Sequence, residues 1–195
     1  MSYKPSICMV PGPLWGMNLR GMLPKSRWRK IRQGLIQERG LRCQTCGKTE
    51  TESKRIFAHE EWEYETTCSP AVAHLRGLVL SCWHCHAVEH FGATQNMVLS
   101  GELTAQAIED TIEHFCLVNQ VGRDAFDRHR AEARAEWTQL SKLEWIVDWG
   151  SFGSLVAEAD QKRRQRRERL EEEWVEDNED TALYEWPYLH SGEPL

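Results

Sequence analysis

LSCWHCHAVEH, residues 80–90, decides the fold together with an earlier stretch, LRCQTCG at residues 41–47. Each stretch contains one Cys-x2-Cys pair, and the four thiols belong to Cys43, Cys46, Cys82 and Cys85. A Cys-x2-Cys turn lets two thiolates reach one cation, and two such turns complete the tetrahedral sulfur shell that suits zinc. The spacing therefore predicts a structural Zn2+ held by the four cysteines.

The surroundings of these cysteines favour metal binding over disulfides. The chain has an odd number of cysteines, seven, and its N-terminus lacks a basic start followed by a long apolar stretch. Cysteine pairs in a chain without a secretory signal are typical of metal sites. No run of 18 apolar residues is present, so no membrane-spanning helix is expected. The predicted compartment is the cytoplasm.

Charge is distributed unevenly along the chain. Residues 1–50 carry ten Lys or Arg against two acids, whereas residues 101–195 carry eleven Lys or Arg against twenty-two acids. The basic N-terminal region predicts an anionic partner, and the acidic C-terminal half is compatible with a protein partner. The basic residues concentrate on one predicted helix that begins at Ser26 and ends at Gly40.

The hydrophobic pattern predicts an α+β protein organised around the cysteines. Short strands are expected at 55–59 and 78–80, and a helix from Cys85 to about His90. Further helices are expected after Gly101, and residues 143–149 are expected to form a short strand or an extended clamp. Four segments result: a basic arm and helix (1–42), a zinc-binding core (43–94), a helical extension (95–150), and a charged C-terminal helix and tail (151–195).

Three histidines form a second cluster beside the predicted zinc site. His86 and His90 are spaced i, i+4, so both rings project from one helix face. His59 belongs to the strand that precedes this helix. A strand histidine that faces two helix histidines makes a compact polar site, and the helix pair is a suitable clamp for a second divalent cation.

The order Cys-x2-Cys, strand histidine, Cys-x2-Cys-His-x3-His resembles the HNH endonucleases of the ββα-metal fold, and a phage and bacterial branch of them in particular. The resemblance spans roughly residues 11–150. It implies a zinc-stapled ββα-metal core with flanking helices in a bacterial host cell. It implies His59 as the general base, and His86 and His90 as ligands of a catalytic cation such as Mg2+, Mn2+ or Ni2+.

Two positions depart from the family pattern. Ala58 stands where many members have a metal-binding Asp or His, and Gly77 stands where the motif asparagine orients the base. A second alignment makes His59 a metal ligand and Glu60 the base. His74 is a further histidine that could join the site from a loop.

The resemblance makes DNA the expected partner of the basic N-terminal region. The candidate phosphate-binding residues lie on the predicted helix or directly before it and are Lys25, Arg27, Arg29, Lys30 and Arg32. Two other functions stay open. The chain could be a zinc module that binds DNA without cutting it, because Ala58 and Gly77 replace the family's metal ligand and orienting asparagine. It could instead be an inhibitor or assembly factor that acts through its acidic C-terminal half.

Overall fold

The computed structural model describes residues 3–179, with the side chains of residues 3–170. The described residues form seven α-helices and a three-stranded sheet, so the α+β class is confirmed. The helices are α1 (Leu19–Met22), α2 (Lys25–Arg39), α3 (Trp83–Glu89), α4 (Phe91–Leu99), α5 (Gln106–Asn119), α6 (Arg123–Leu140) and α7 (Gly153–Glu179). The strands are β1 (Ile56–Glu65), β2 (Ala71–Cys82) and β3 (Trp145–Asp148).

The sheet consists of a long hairpin with one short added strand. β1 and β2 pair antiparallel, with a register shift between Glu61 and Trp62, and β3 pairs parallel with the start of β2. β1 and β2 are much longer than the runs predicted at 55–59 and 78–80. The outer half of β1 alternates half-buried and exposed residues, and that of β2 alternates buried and half-buried ones, so neither forms a continuous apolar run. β2 passes directly into α3, so the hairpin and this helix form one continuous unit.

Helix boundaries differ from the predicted ones at two places. Pro24, not Ser26, occupies the N-cap of α2, while Gly40 ends that helix at φ +70° as expected of a glycine C-cap. α3 begins at Trp83 instead of Cys85, while its C-cap at His90 agrees with the predicted end.

Two apolar clusters hold the helices in position. One contains Ile7, Val88, Phe91, Ile112, Phe115, Phe126 and Ala133, and it joins the N-terminal arm to α3–α6. The other surrounds the cysteines with Ile56 and Leu80, and Leu35 and Ile36 of α2 pack against it. The first cluster therefore packs against α3 at Val88 and the second at Cys85, so both hold the helix that carries His86.

The N-terminal arm crosses the fold and is tied to α3. The backbone N–H of Cys8 donates a 3.0 Å hydrogen bond to the carbonyl of Glu89. Leu14 of the arm is buried, whereas the neighbouring Trp15 is 75% exposed.

The chain divides into two compact units, and the boundary falls between Val156 and Ala157. The predicted segments 1–42, 43–94 and 95–150 thus all fall in the first unit. None of the described helices is long and apolar enough to cross a membrane.

Candidate metal centres

The four cysteines of the two Cys-x2-Cys pairs come together and could bind a metal ion such as zinc. Their Sγ atoms all lie within 4.8 Å of one another, and the Sγ atoms of Cys46 and Cys82 are 3.7 Å apart. Zn–S bonds of about 2.3 Å in a tetrahedron separate neighbouring sulfurs by about 3.8 Å. The sulfur positions therefore fit a tetrahedral zinc ion.

Three of the four cysteines are buried, and Cys46 is half-buried. Cys82 and Cys85 are fully buried and Cys43 is 1% exposed. Hydrogen bonds from the thiols of Cys82 and Cys85 lower the pKa of Cys43, and the same interaction raises the pKa of Cys82 to about 12. One sulfur of the set already favours the thiolate form. A bound cation favours deprotonation of the others, because the thiolate is the ligand.

The three histidines also come together, at the junction of the hairpin and α3. Nδ1 of His59 lies 3.1 Å from Nε2 of His90, and one nitrogen from each ring, including His86, lies within 4.8 Å of the others. Metal–nitrogen bonds of about 2.1 Å place neighbouring ligand nitrogens roughly 3.0–3.4 Å apart. The three rings therefore fit one divalent cation, with His59 as a third ligand beside the predicted pair.

Burial keeps the three imidazoles neutral, which is the metal-binding form. Burial, then the neighbouring His90, lowers the pKa of both His59 and His86 to about 3. His59 is only 8% exposed, which differs from the open position that a general base in a wide cleft requires. His86 and His90 are half-buried and form the accessible side of the cluster.

Glu89 is a buried carboxyl group beside this cluster that the sequence interpretation missed. Its Oε1 accepts a 3.3 Å hydrogen bond from the hydroxyl of Ser81. Its Oε2 lies 3.5 Å from Nδ1 of His59 and, among the described side chains, is a buried polar atom without a hydrogen-bond partner. Burial raises the pKa of Glu89 to about 8. An unsatisfied oxygen next to three neutral imidazoles is consistent with a cation site.

Glu60 does not join the histidines. Successive side chains of a strand point to opposite faces, so Glu60 faces away from His59. Its Oε1 accepts a 2.7 Å hydrogen bond from the backbone N–H of Leu19, and its Oε2 accepts one of 3.0 Å from Nε1 of Trp62. Glu60 thus fixes the start of α1. The carboxylate on the face of His59 is the exposed Glu61.

The two positions that depart from the family pattern lie on the central strands. Ala58 precedes His59 and therefore points to the opposite face. Gly77 pairs with Glu61 across the hairpin. A Cβ atom added at Gly77 would meet no atom within 4 Å, so space is open beside Glu61 on the face of His59.

The candidate phosphate-binding residues fall into two groups. Lys25, Arg29 and Lys30 are exposed on α2, and Arg27 is half-buried there. Arg32 has an internal role, because its guanidinium donates to the carbonyl of Ser53 and, at 2.7 Å, to that of Ile56.

A basic residue outside α2 acts electrostatically on the histidine cluster. Arg20 of α1 is exposed, and its positive charge helps to lower the pKa of His86 after burial and His90. Its backbone N–H donates to Glu60, so β1 holds the turn that carries it. No local sequence signal indicates this proximity, because Arg20 and His86 are far apart in the chain.

Comparisons with known proteins find no matching family model, no matching curated protein and no matching solved structure.

Proposed function

We propose that this chain is a metal-dependent endonuclease of the HNH type that hydrolyses DNA. One observation carries the proposal. An antiparallel hairpin runs directly into a helix, and the three elements bring ligand nitrogens of His59, His86 and His90 within 4.8 Å of one another. Beside them, four clustered thiols can staple the same hairpin and helix. This combination of two metal-binding sets around ββα supports the ββα-metal reading of the sequence.

In this proposal His59, His86 and His90 together hold one divalent cation. The 3.1 Å separation between Nδ1 of His59 and Nε2 of His90 favours His59 as a ligand over His59 as the general base. A divalent cation in this set supplies electrostatic stabilisation of the charge that develops on the phosphate.

Glu61 is then the proposed proton acceptor. It is an exposed carboxylate on the face of His59, and the Cβ direction of Gly77 opposite it is open. Hydrolysis forms a bond from a water oxygen to phosphorus and breaks the bond from phosphorus to the 3′ oxygen. Glu61 accepts the proton of the attacking water, and the 3′ oxygen takes a proton from solvent.

DNA is the proposed substrate because exposed cations lie on α1 and α2. Arg20 is proposed to contact the phosphate at the cation site, and Lys25, Arg29 and Lys30 to contact neighbouring phosphates. Each lost phosphate contact on duplex DNA reduces the salt dependence of binding by about 0.9 in the logarithmic slope. No base-reading group is proposed.

The test is cleavage of supercoiled plasmid by the purified zinc-loaded chain, with Mg2+, Mn2+ or Ni2+ added in turn and with EDTA as the blank. Nicked and linear plasmid should appear with at least one cation. His90→Ala should abolish cutting and keep the salt-dependent binding of DNA, because phosphate contacts dominate affinity.

His74→Ala is the matched control, since His74 lies on the same hairpin but bonds Asp148 instead of the cluster. It should cut like the wild type. Salt-dependent DNA binding without cutting under any cation would replace the nuclease by a DNA-binding module, and the absence of both would leave a protein-interaction factor.

A further inference from the structure

His114 of α5 contacts the cysteine cluster from outside. Its Nε2 lies 3.1 Å from the Sγ of Cys85, across 29 positions of sequence. We propose that His114 is a positioning residue of the zinc site, which donates its Nε2–H to the Cys85 thiolate and slows the release of zinc. The proposal depends on the four-sulfur site and is independent of the nuclease activity.

The chemistry of a zinc-bound sulfur determines the direction of this hydrogen bond. A thiolate ligand carries no proton and can only accept, so the imidazole must be the donor. Four thiolates around one Zn2+ carry an excess of negative charge, and a donated hydrogen bond stabilises that charge on Cys85. Hydrogen bonds that hold metal ligands are worth about 10–100-fold in metal affinity.

The location of His114 adds a second reason. Cys85 is fully buried, whereas His114 lines an open cavity of about 480 Å³. Solvent and small chelators that enter this cavity meet His114 before they meet the sulfur. The ring of His84, 5.2 Å from that of His114 between centroids, lines the same cavity. His114 therefore both bonds the thiolate and covers it.

The experiment measures transfer of zinc from the full-length chain to an excess of a chromophoric chelator. His114→Phe keeps the size and packing of the ring but removes the donor, and zinc release should become about 10–100-fold faster. His114→Gln keeps an N–H donor in place of Nε2 and should stay close to the wild-type rate. His84→Ala is the matched control, because its ring contacts His114 rather than a sulfur, and it should release zinc at the wild-type rate.

A role in packing alone predicts the reverse order, with wild-type release from His114→Phe and fast release from His114→Gln, and that result would overturn the proposal. A second measurement needs no variant. In the 15N-histidine-labelled, metal-loaded wild type, the proposal expects the His114 proton on Nε2 in the NMR spectrum. A proton on Nδ1 with an unprotonated Nε2 would overturn it even if His114→Phe failed to fold.

Discussion

At the scale of single residues, the two neighbouring glutamates of β1 have different roles because strand geometry points them to opposite faces. Glu60 accepts hydrogen bonds from Leu19 and Trp62, whereas Glu61 is exposed on the face of His59. Glu60→Ala should lower the free energy of unfolding by about 1–3 kcal/mol, because the buried N–H of Leu19 loses its acceptor. Urea denaturation checks this value.

Glu61→Gln is the matched change on the other face. It should leave the free energy of unfolding within about 0.5 kcal/mol of wild type, as is usual for exposed sites, and should abolish plasmid cutting. Full cutting by Glu61→Gln would remove Glu61 from the proton-accepting role.

The cysteines make a separate prediction at this scale. Cys43→Ser and Cys82→Ser should each lose zinc and unfold, since zinc binding in small metal domains is worth about 10–16 kcal/mol at neutral pH. Elemental analysis and circular dichroism measure both effects. Cys68→Ser, at an exposed cysteine outside the cluster, should keep one zinc per chain and the wild-type spectrum. A well-folded wild-type sample without zinc would contradict the assignment.

At the scale of elements, the half-buried His74 joins β2 to the short strand β3. Nδ1 of His74 lies 2.8 Å from a carboxylate oxygen of Asp148, and this hydrogen bond raises the pKa of His74 above its usual value. Glu65 of β1 adds a weaker bond, whereas the charge of Arg76 acts in the opposite direction.

A raised folded-state pKa gives a definite sign to the pH dependence. The stabilisation from His74 is fully present below the unfolded pKa of about 6.5 and is lost as pH rises through the higher folded-state pKa. Amide hydrogen exchange in β3 should therefore accelerate, after correction for intrinsic rates, as pH rises through that range. His74→Gln should remove this pH dependence, and an unchanged pH profile in that variant would contradict the role.

The elements also show which parts of the site the sequence could predict. Spacing alone brings His86 and His90 to one face of α3 and pairs the cysteines, because these are local properties of helices and turns. Side chains alternate along a strand with a period of two, so a strand that continues past His59 places Glu61, and not Glu60, on the face of His59. Because the strand was expected to end at His59, the sequence favoured Glu60, the carboxylate nearest in the chain, as the alternative base. Glu89 was accessible in principle, since it lies three residues after His86 on the same helix.

Other parts of the site depend on tertiary structure. Arg20 approaches His86 only because Glu60 bonds the start of α1, and His114 reaches Cys85 only because α5 packs beside α3. The internal role of Arg32 arises in the same way, from backbone carbonyls far along the chain. No periodicity or motif at these positions indicates their partners.

At the scale of the whole molecule, the charged C-terminal segment (151–195) contains α7. The described side chains of α7 from Gln161 to Leu170 are all exposed. Lys162 to Arg169 is the basic part of α7, and we propose it as an alternative phosphate-binding strip.

We propose that the acidic residues from Glu171 to Asp180, whose side chains lie outside the described residues, compete with DNA for the basic residues around Arg27 to Arg32. Removal of residues 171–195 should tighten DNA binding at low salt if that tail competes. Equal affinity of the two chains in a fluorescence titration would leave it without that role.

The proposed nuclease requires that β1 and the C-terminal end of α3 hold one divalent cation between three imidazoles, apart from the four-sulfur site. The most direct measurement is 113Cd NMR of the cadmium-loaded, 15N-histidine-labelled chain. We predict two 113Cd resonances, one from a four-sulfur site and one coupled to three imidazole nitrogens, including Nδ1 of His59. A second resonance coupled only to the nitrogens of His86 and His90 would contradict the three-histidine set, and the absence of a second resonance would contradict the site itself.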